Sequence, residues 1–326
     1  MCKKISNSAI DKVGTIIKDK TNEEYAIALE EVNEWRMLHQ YPLDFLEPML
    51  KKAASSIDMQ YIYSQRLKRI ESIVDKVSNR ANTIRLSKMQ DIGGSRVILA
   101  NIENVYKFYT KMRESANIEI IGEKDYIKTP RESGYRSIHL VIRHSDSKQR
   151  RDGLLTELQI RTQLEHIWAT AVETAGIAIG HELKFGRGDR DWLDMFAHMS
   201  KIMANDEGAD NDVELYRNKI MELNQKNDFI GKLEVLKNFT QISSEYITEI
   251  YACFLLNIDS ETKKFSPIGY KSNEYEFAYA RYKELENEGK NVVLVKTNSA
   301  FNLKNAYPNY FADMSQFLNY FENLLS

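Results

Sequence analysis

Apolar positions recur at helical spacing between residues 21 and 80. The last of these helices, about 57 to 79, carries a stripe of Ile62, Ile70, Ile73, Val74 and Val77. Arg66 falls on the same stripe, one turn from Ile62 and from Ile70. A charge there is costly unless it is paired or faces a cleft. Strand patterns follow. "SRVILA" (95 to 100) is an apolar run opened by Gly93-Gly94, read as a tight turn. A helix near 103 to 116 and a strand near 117 to 121 come next. "YRSIHLVIR" (135 to 143) alternates, with Ile138, Leu140 and Ile142 opposite His139, Val141 and Arg143. "LLTELQIRT" (154 to 162) sets Leu154, Thr156, Leu158 and Ile160 against Glu157, Gln159 and Arg161. Pattern alone leaves that polar face either simply solvated or lining a cleft.

A helix over about 162 to 183 has Leu164, Ile167, Trp168, Ala171, Val172 and Ala175 at core spacing. Helices continue to about 248, broken by the acidic stretch "NDEGADND" (205 to 212), read as a linker or loop. The last eighty residues read as a separate small α/β unit. It has a strand in "IYACFLLNID", a hairpin partner in "KKFSPIGYK", a helix closed by Gly289 and a strand in "NVVLVKT". The expected division is N-terminal helices (1–56), a core (57–204), a helical connector (205–248) and an accessory α/β unit (249–326). There is no internal repeat and no low-complexity segment.

Composition narrows the class. A length of 326 residues suits two domains, and 43% hydrophobic with 28% charged residues suits ordinary globular cores. Two cysteines, Cys2 and Cys253, support neither a disulfide framework nor a zinc cluster. The first twenty residues lack the apolar segment of a signal peptide, and no apolar run is long enough to span a bilayer. A cytoplasmic protein with no membrane partner is expected. The net charge of −2 hides an asymmetry. Residues 61 to 96 hold eight basic and three acidic side chains; from 205 onwards there are thirteen basic and nineteen acidic ones. The front half suits an anionic partner.

"KTPRESGYRSIH" (128 to 139) places Lys128, Arg131 and Arg136 around a Ser-Gly-Tyr turn and ends on His139. Asp91 precedes a strand, and Glu157 sits on the polar face of another. Two carboxylates amid cations are what Mg²⁺ needs when phosphate supplies the remaining oxygens. Arg66, Lys68, Lys76 and Arg96 suit phosphates, and the arginines also suit a flat ring. Charge counting alone is equally met by a surface salt-bridge network.

Four blocks carry more information. "RLKRIESIVDK" (66 to 76), "MQDIGGSRVI" (89 to 98), "KDYIKTPRESGYRSIHLVI" (124 to 142) and "ELQIRTQLEHIWA" (157 to 169) resemble the RelA/SpoT alarmone synthetase domain, in its order and spacing. The resemblance covers about residues 35 to 185. It implies a nucleotidyltransferase-like mixed β-sheet flanked by helices. It also implies transfer of the β,γ-pyrophosphate of ATP to the 3′-hydroxyl of GDP or GTP, giving (p)ppGpp, with Mg²⁺ as cofactor. By the same resemblance, Arg66 and Arg96 sandwich adenine, and Lys68, Ser72 and Lys76 hold the ATP phosphates. Asp91 and Glu157 bind the metal and are the catalytic pair, with Glu157 drawing the hydroxyl proton. Tyr135 stacks on the acceptor base, and Gly134 lets the backbone approach it. Lys124, Lys128, Arg131 and His139 face the acceptor, supported by Gln159 and Arg161.

The match departs from the family pattern in places. His39 is followed by Gln40, so the hydrolase His-Asp motif is absent, and no long regulatory tail is expected. A small, synthetase-only member is the expectation. Ser133 stands where long members carry Asn, Gly122 where bifunctional members carry Arg, and Thr174 where many carry His after Glu173. These departures keep other readings open. One is a toxin-type relative that modifies the 3′ end of tRNA or makes adenosine alarmones, with an antitoxin or sensed ligand at the C-terminal unit. Another is an inactive nucleotide sensor. The number of subunits, homo-oligomer or not, is left open.

Overall fold

The computed structural model describes residues 6–78, 84–145, 153–179, 183–239, 251, 253–258, 265–288, 290–297 and 314–326. The expected helix end at Gly289 and the end of the helical run near 248 lie outside these residues. Three helices open the chain: α1 (Asn7–Ile16), α2 (Tyr25–Leu38) and α3 (Gln40–Ser55). Ser6 caps α1 by accepting the Ala9 amide at 3.1 Å.

The stretch expected as one helix over 57 to 79 is instead a strand followed by a helix, β1 (Ile62–Leu67) and α4 (Ile70–Ser78). Helical spacing was accidental there: β1 is paired along both edges, which helical backbone cannot be. β2 (Gly93–Leu99) follows, with Gly93 and Gly94 inside the strand rather than in a turn. A Cβ on Gly93 would meet His39 and Thr156 atoms at 3.2–3.3 Å, so the glycine allows α3 to start against the strand. His39 itself is buried, its Nδ1 3.1 Å from the Trp35 carbonyl.

Next come α5 (Ile102–Arg113), capped by Asn101, then β3 (Glu119–Asp125), β4 (Ile138–Arg143), β5 (Leu155–Thr162) and α6 (Gln163–Ile179). A helical layer follows, with α7 (Arg190–Asp206), α8 (Val213–Asn227) and α9 (Phe229–Phe239). Asp189 and Asp212 cap α7 and α8. The chain continues through β6 (Cys253–Ile258), β7 (Phe265–Tyr270), α10 (Tyr275–Asn287), β8 (Asn291–Thr297) and α11 (Ser315–Leu325).

The expected mixed α/β architecture is present. Its sheet has eight strands in the order β3-β4-β5-β2-β1-β8-β6-β7, and among the described pairings only β2 with β5 is parallel. The C-terminal elements depart from the expectation of a separate unit. β6 and β7 form the expected hairpin, but β8 carries them onto β1, with Ser64 opposite Thr297 and Arg66 opposite Val295. β1 would otherwise present an unpaired edge.

One face of the sheet is apolar. Tyr63, Val97, Ile138, Leu140, Leu158 and Ile160 pack against Leu46 and Leu50 of α3 and Phe108 of α5. The other face carries the polar partners of the same alternation. A second core lies among α6, α7, α9 and α11, where Phe317, Leu318 and Phe321 are buried beside Trp168 and Phe196.

Because Phe317 and Phe321 are at most 1% exposed, truncating either to alanine is expected to destabilise the chain by about 3 to 5 kcal/mol. Urea denaturation measures this. A loss below about 1 kcal/mol would mean that α11 is not part of the cooperative fold.

Candidate active site

Strand register assembles the site. In one row across the sheet, Lys124 of β3 faces His139 of β4, His139 faces Gln159 of β5, and Gln159 faces Arg96 of β2. In the next row, Glu157 of β5 faces Gly94 of β2, and Gly94 faces Arg66 of β1. Glu157, Gln159 and Arg161 therefore share a face with His139, Arg96 and Arg66. That face is not simply solvated: Arg161 is buried, and the other five are half-buried.

The two carboxylates are held as anions by different means. Asp91, just before β2, accepts from Lys76 Nζ at 2.8 Å and from Lys68 Nζ at 3.1 Å. Burial would raise its pKa, but the two ammonium groups outweigh that and hold it down at about 2. Glu157 lies 3.0 Å from His139 Nδ1 and accepts from Gln159 Nε2 at 2.8 Å. Burial opposes its ionisation, yet these bonds and the His139 charge bring it down to about 2. Asp91 is close enough that its charge works against the ionisation of Glu157. Ser72 and Lys76 are four residues apart on α4, both half-buried, which puts them on the same side of the helix.

Arg66 and Arg96 converge on a carboxylate that sequence reasoning passed over as a site residue. Glu173 of α6 is 3.4 Å from Lys184 Nζ. Burial would raise its pKa, but Lys184, Arg66 and Arg96 outweigh that and lower it to about 2. The only signal for Glu173 was its place one residue before the departure at Thr174.

The loop before β4 is folded inward. Gly134 has φ +88°, and a Cβ there would meet Ser200 at 2.8 Å and Trp168 and Ala197 at 3.1 Å. The glycine thus seats the loop on α6 and α7, and Ser200 donates to its carbonyl at 2.5 Å. The Tyr135 ring is 3% exposed. Its hydroxyl is 2.7 Å from His139 Nε2 and accepts from Arg161 Nη2 at 3.2 Å. Burial alone would raise this phenol, but His139, Arg161 and Lys184 bring it down to about 7. The same contacts with Tyr135 and Glu157 raise the His139 pKa against its own burial. Arg161 also donates to Gln159 at 2.6 Å, and Arg96 Nε donates to the same oxygen at 3.3 Å.

The remaining acceptor candidates stand at the rim. Lys124, Lys128 and Arg131 are exposed. Arg131 donates to the Tyr126 hydroxyl at 2.7 Å and lies 4.5 Å over that ring. Tyr126, half-buried within the "KDYIK" block, is the more open aromatic surface, in place of the covered Tyr135. Arg136, from the same cationic stretch, does not reach the site. It is buried between Glu165 (3.5 Å) and Glu207 (2.9 Å) and ties the loop to the start of α6 and the end of α7.

Among the described residues, no group of three or more His, Cys, Asp or Glu could form a protein-only metal cage. No described helix is long and apolar enough to cross a membrane.

The sheet thus gathers two ionised carboxylates and a set of cations at its polar face. Residues 65–178 match the family model described as the region found in RelA/SpoT proteins. It is similar to the GTP pyrophosphokinase YwaC of Bacillus subtilis, 27% identical over 177 residues, covering 51% of this chain and 79% of that protein. It is 30% identical over 107 residues to the GTP pyrophosphokinase YjbM of the same organism, covering 32% of this chain and 51% of the relative. Among solved structures it matches the Bacillus subtilis small alarmone synthetase 1 bound to its product pppGpp, with TM-score 0.49 and 18% identity over 61% of this chain and 99% of the other.

The Arg136 cluster carries a pH signature. Burial, with Glu207 nearby, pushes Glu165 from 4.5 up to about 7 against the pull of Arg136. A raised folded-state value means that the folded protein holds the proton more tightly than the unfolded chain. The associated stability is complete below about pH 4.5 and is lost as pH rises through about 7. Glu165→Gln is expected to flatten the stability profile between about pH 5 and about pH 8, measured by urea denaturation. A wild-type slope in the variant would show that Glu165 does not titrate there.

Proposed function

We propose that this chain transfers the β,γ-pyrophosphate of ATP to the 3′-hydroxyl of GDP or GTP and so makes (p)ppGpp. The observation that carries the reading is the convergence, on one sheet face, of Asp91 and Glu157 with cations on both flanks. The family match over residues 65–178 and the resemblance to GTP pyrophosphokinases support it.

On the ATP side, Arg66 and Arg96 grip the adenine, and Lys68, Ser72 and Lys76 take the phosphates. In this reading the two lysines exchange Asp91 for phosphate oxygens when ATP enters. Magnesium fits the donor set: two ionised carboxylates, Glu157 on β5 and Asp91 just before the adjacent β2, too few for a closed cage, suit an ion that takes its other oxygens from phosphate and water. Asp91 and Glu157 would hold it. When bound, it neutralises the charge on the transferring phosphates.

On the acceptor side, Lys124, Lys128, Arg131 and His139 meet the 5′-phosphates, and Gln159 and Arg161 brace the strand beside them. Tyr126 and Tyr135 are the rings available to the base, Tyr135 only after the loop opens. The acceptor 3′-oxygen attacks the β-phosphorus as the bond to the α,β-bridging oxygen breaks. AMP leaves with that oxygen, and Glu157 takes the hydroxyl proton. Both substrates are abundant in the cytoplasm, where we place the reaction.

ATP labelled on its γ-phosphate, supplied with GDP, GTP, ATP and bulk tRNA in separate reactions, tests this. Label is expected in the guanosine nucleotides, with AMP released in step. Asp91→Ala and Glu157→Ala are each expected to slow AMP release about 100-fold or more. Label entering tRNA and no guanosine nucleotide would replace the proposal with a toxin-type activity. Variants indistinguishable from wild type would remove the catalytic assignment.

A further inference from the structure

Arg36 of α2 is fully buried. Its donors are spent on three separate segments. Nε and Nη2 donate to Asn33 Oδ1 at 3.0 and 2.6 Å, within α2 itself. Nη1 donates to the Tyr282 hydroxyl at 2.6 Å, and Nη2 pairs with Glu286, both on α10. Tyr282 also donates to Glu286 at 2.9 Å, so the two α10 side chains form one acceptor surface. Nη1 has a further partner, the backbone carbonyl of Lys68, at 3.2 Å.

That last contact is the informative one. The Lys68 amide donates to the Ile92 carbonyl at 2.8 Å, so both polar groups of this residue's backbone are held. Its side chain reaches Asp91. The Lys68 backbone is thus clamped between the Asp91–Ile92 segment and Arg36. Arg36 in turn is aimed by residues 282 and 286, more than two hundred positions away in sequence. A guanidinium in a buried setting keeps one orientation only while its charge partner and acceptors stay in place. Loss of Glu286 leaves it free to turn towards another acceptor and to release the Lys68 carbonyl.

We propose that Tyr282 and Glu286 are positioning residues for ATP: through Arg36 they fix the backbone that aims Lys68 at the phosphates. The C-terminal segment then completes the ATP half of the site. This rests on the ATP-side reading given above and deepens it. Lys296 of β8 reinforces the seat, pairing with Asp44 at 3.1 Å and Glu47 at 3.0 Å on α3. The acceptor half has no corresponding link to α10 among the described residues, so the two substrates should respond differently.

The test uses the full-length chain and two readouts: calorimetric binding of a non-hydrolysable ATP analogue, and KM for ATP and for the guanosine acceptor. Glu286→Ala is expected to weaken analogue binding and raise KM for ATP by about tenfold, the scale of a charge-assisted hydrogen bond. KM for the acceptor should stay within about twofold. Glu286→Gln, which keeps a carbonyl acceptor, and Tyr282→Phe should show smaller losses in the same direction. Glu284→Gln removes an exposed pair with Arg281 on the same helix and should change neither constant. Melting curves establish that each variant is folded at the assay temperature. Folded Glu286→Ala with wild-type analogue affinity overturns the positioning role. So does an equal rise in both KM values, which would mean general loosening. If wild type itself fails to bind the analogue, the ATP-side reading fails, and this inference fails with it for a distinguishable reason.

Discussion

The pairing of β2 with β5 is the constraint on which the site depends. It sets Gly94 opposite Glu157 and Arg96 opposite Gln159 in a parallel ladder. Side chains alternate along a strand, so a slip of one residue would exchange Glu157, Gln159 and Arg161 with Leu158 and Ile160. The charged set would then lie against Leu50 and Phe108, at a cost of several kcal/mol for each unpaired charge. The apolar face therefore fixes the register, and the register fixes which polar groups meet.

Charges brought together in a sheltered site must satisfy one another before any ligand arrives. Asp91 lies between Lys68 and Lys76, Glu157 between His139 and Gln159, and Glu173 among Lys184, Arg66 and Arg96. Each carboxylate is a stand-in of the right sign for a phosphate oxygen. In the proposed reaction, binding exchanges one set of ion pairs for another and does not desolvate bare lysines. Donors already aimed at anions also need little reorganisation as negative charge moves along the phosphates.

Much of this was legible in the sequence because it is local. The alternation in 135–143 and 154–162 marked both strands and separated an apolar from a polar face, and the four quoted blocks carried the family resemblance. What escaped was non-local. Residues 62–67 satisfy a helical stripe, and only partners at 93–98 and 295–297 turn them into a strand. The C-terminal strands and helix were readable as elements, but nothing in their pattern said that β8 would dock on β1. The family resemblance implied that Tyr135 stacks on an acceptor base, yet the ring is covered. Its cover comes from Trp168 and Lys184, which the turn's own sequence does not mention.

Buried polar residues are the part that patterns serve worst. Arg36 and Arg136 each sit in sequence contexts that a solvated surface explains equally well, and both are almost completely enclosed. An arginine has five donors in a fixed fork, so enclosing one requires acceptors from several directions at once. Those acceptors come from distant segments by necessity. Arg136 joins the loop before β4 to α6 and α7, and Arg36 joins α2 to α10 and to the Lys68 backbone. In the proposed reading, the two halves of the site are thereby tied to different parts of the fold, the acceptor side to the helical layer and the ATP side to the C-terminal segment. Under the proposed reading, a perturbation of α10 reaches Lys68 through the Arg36 guanidinium, while the loop before β4 keeps its own anchor in Arg136.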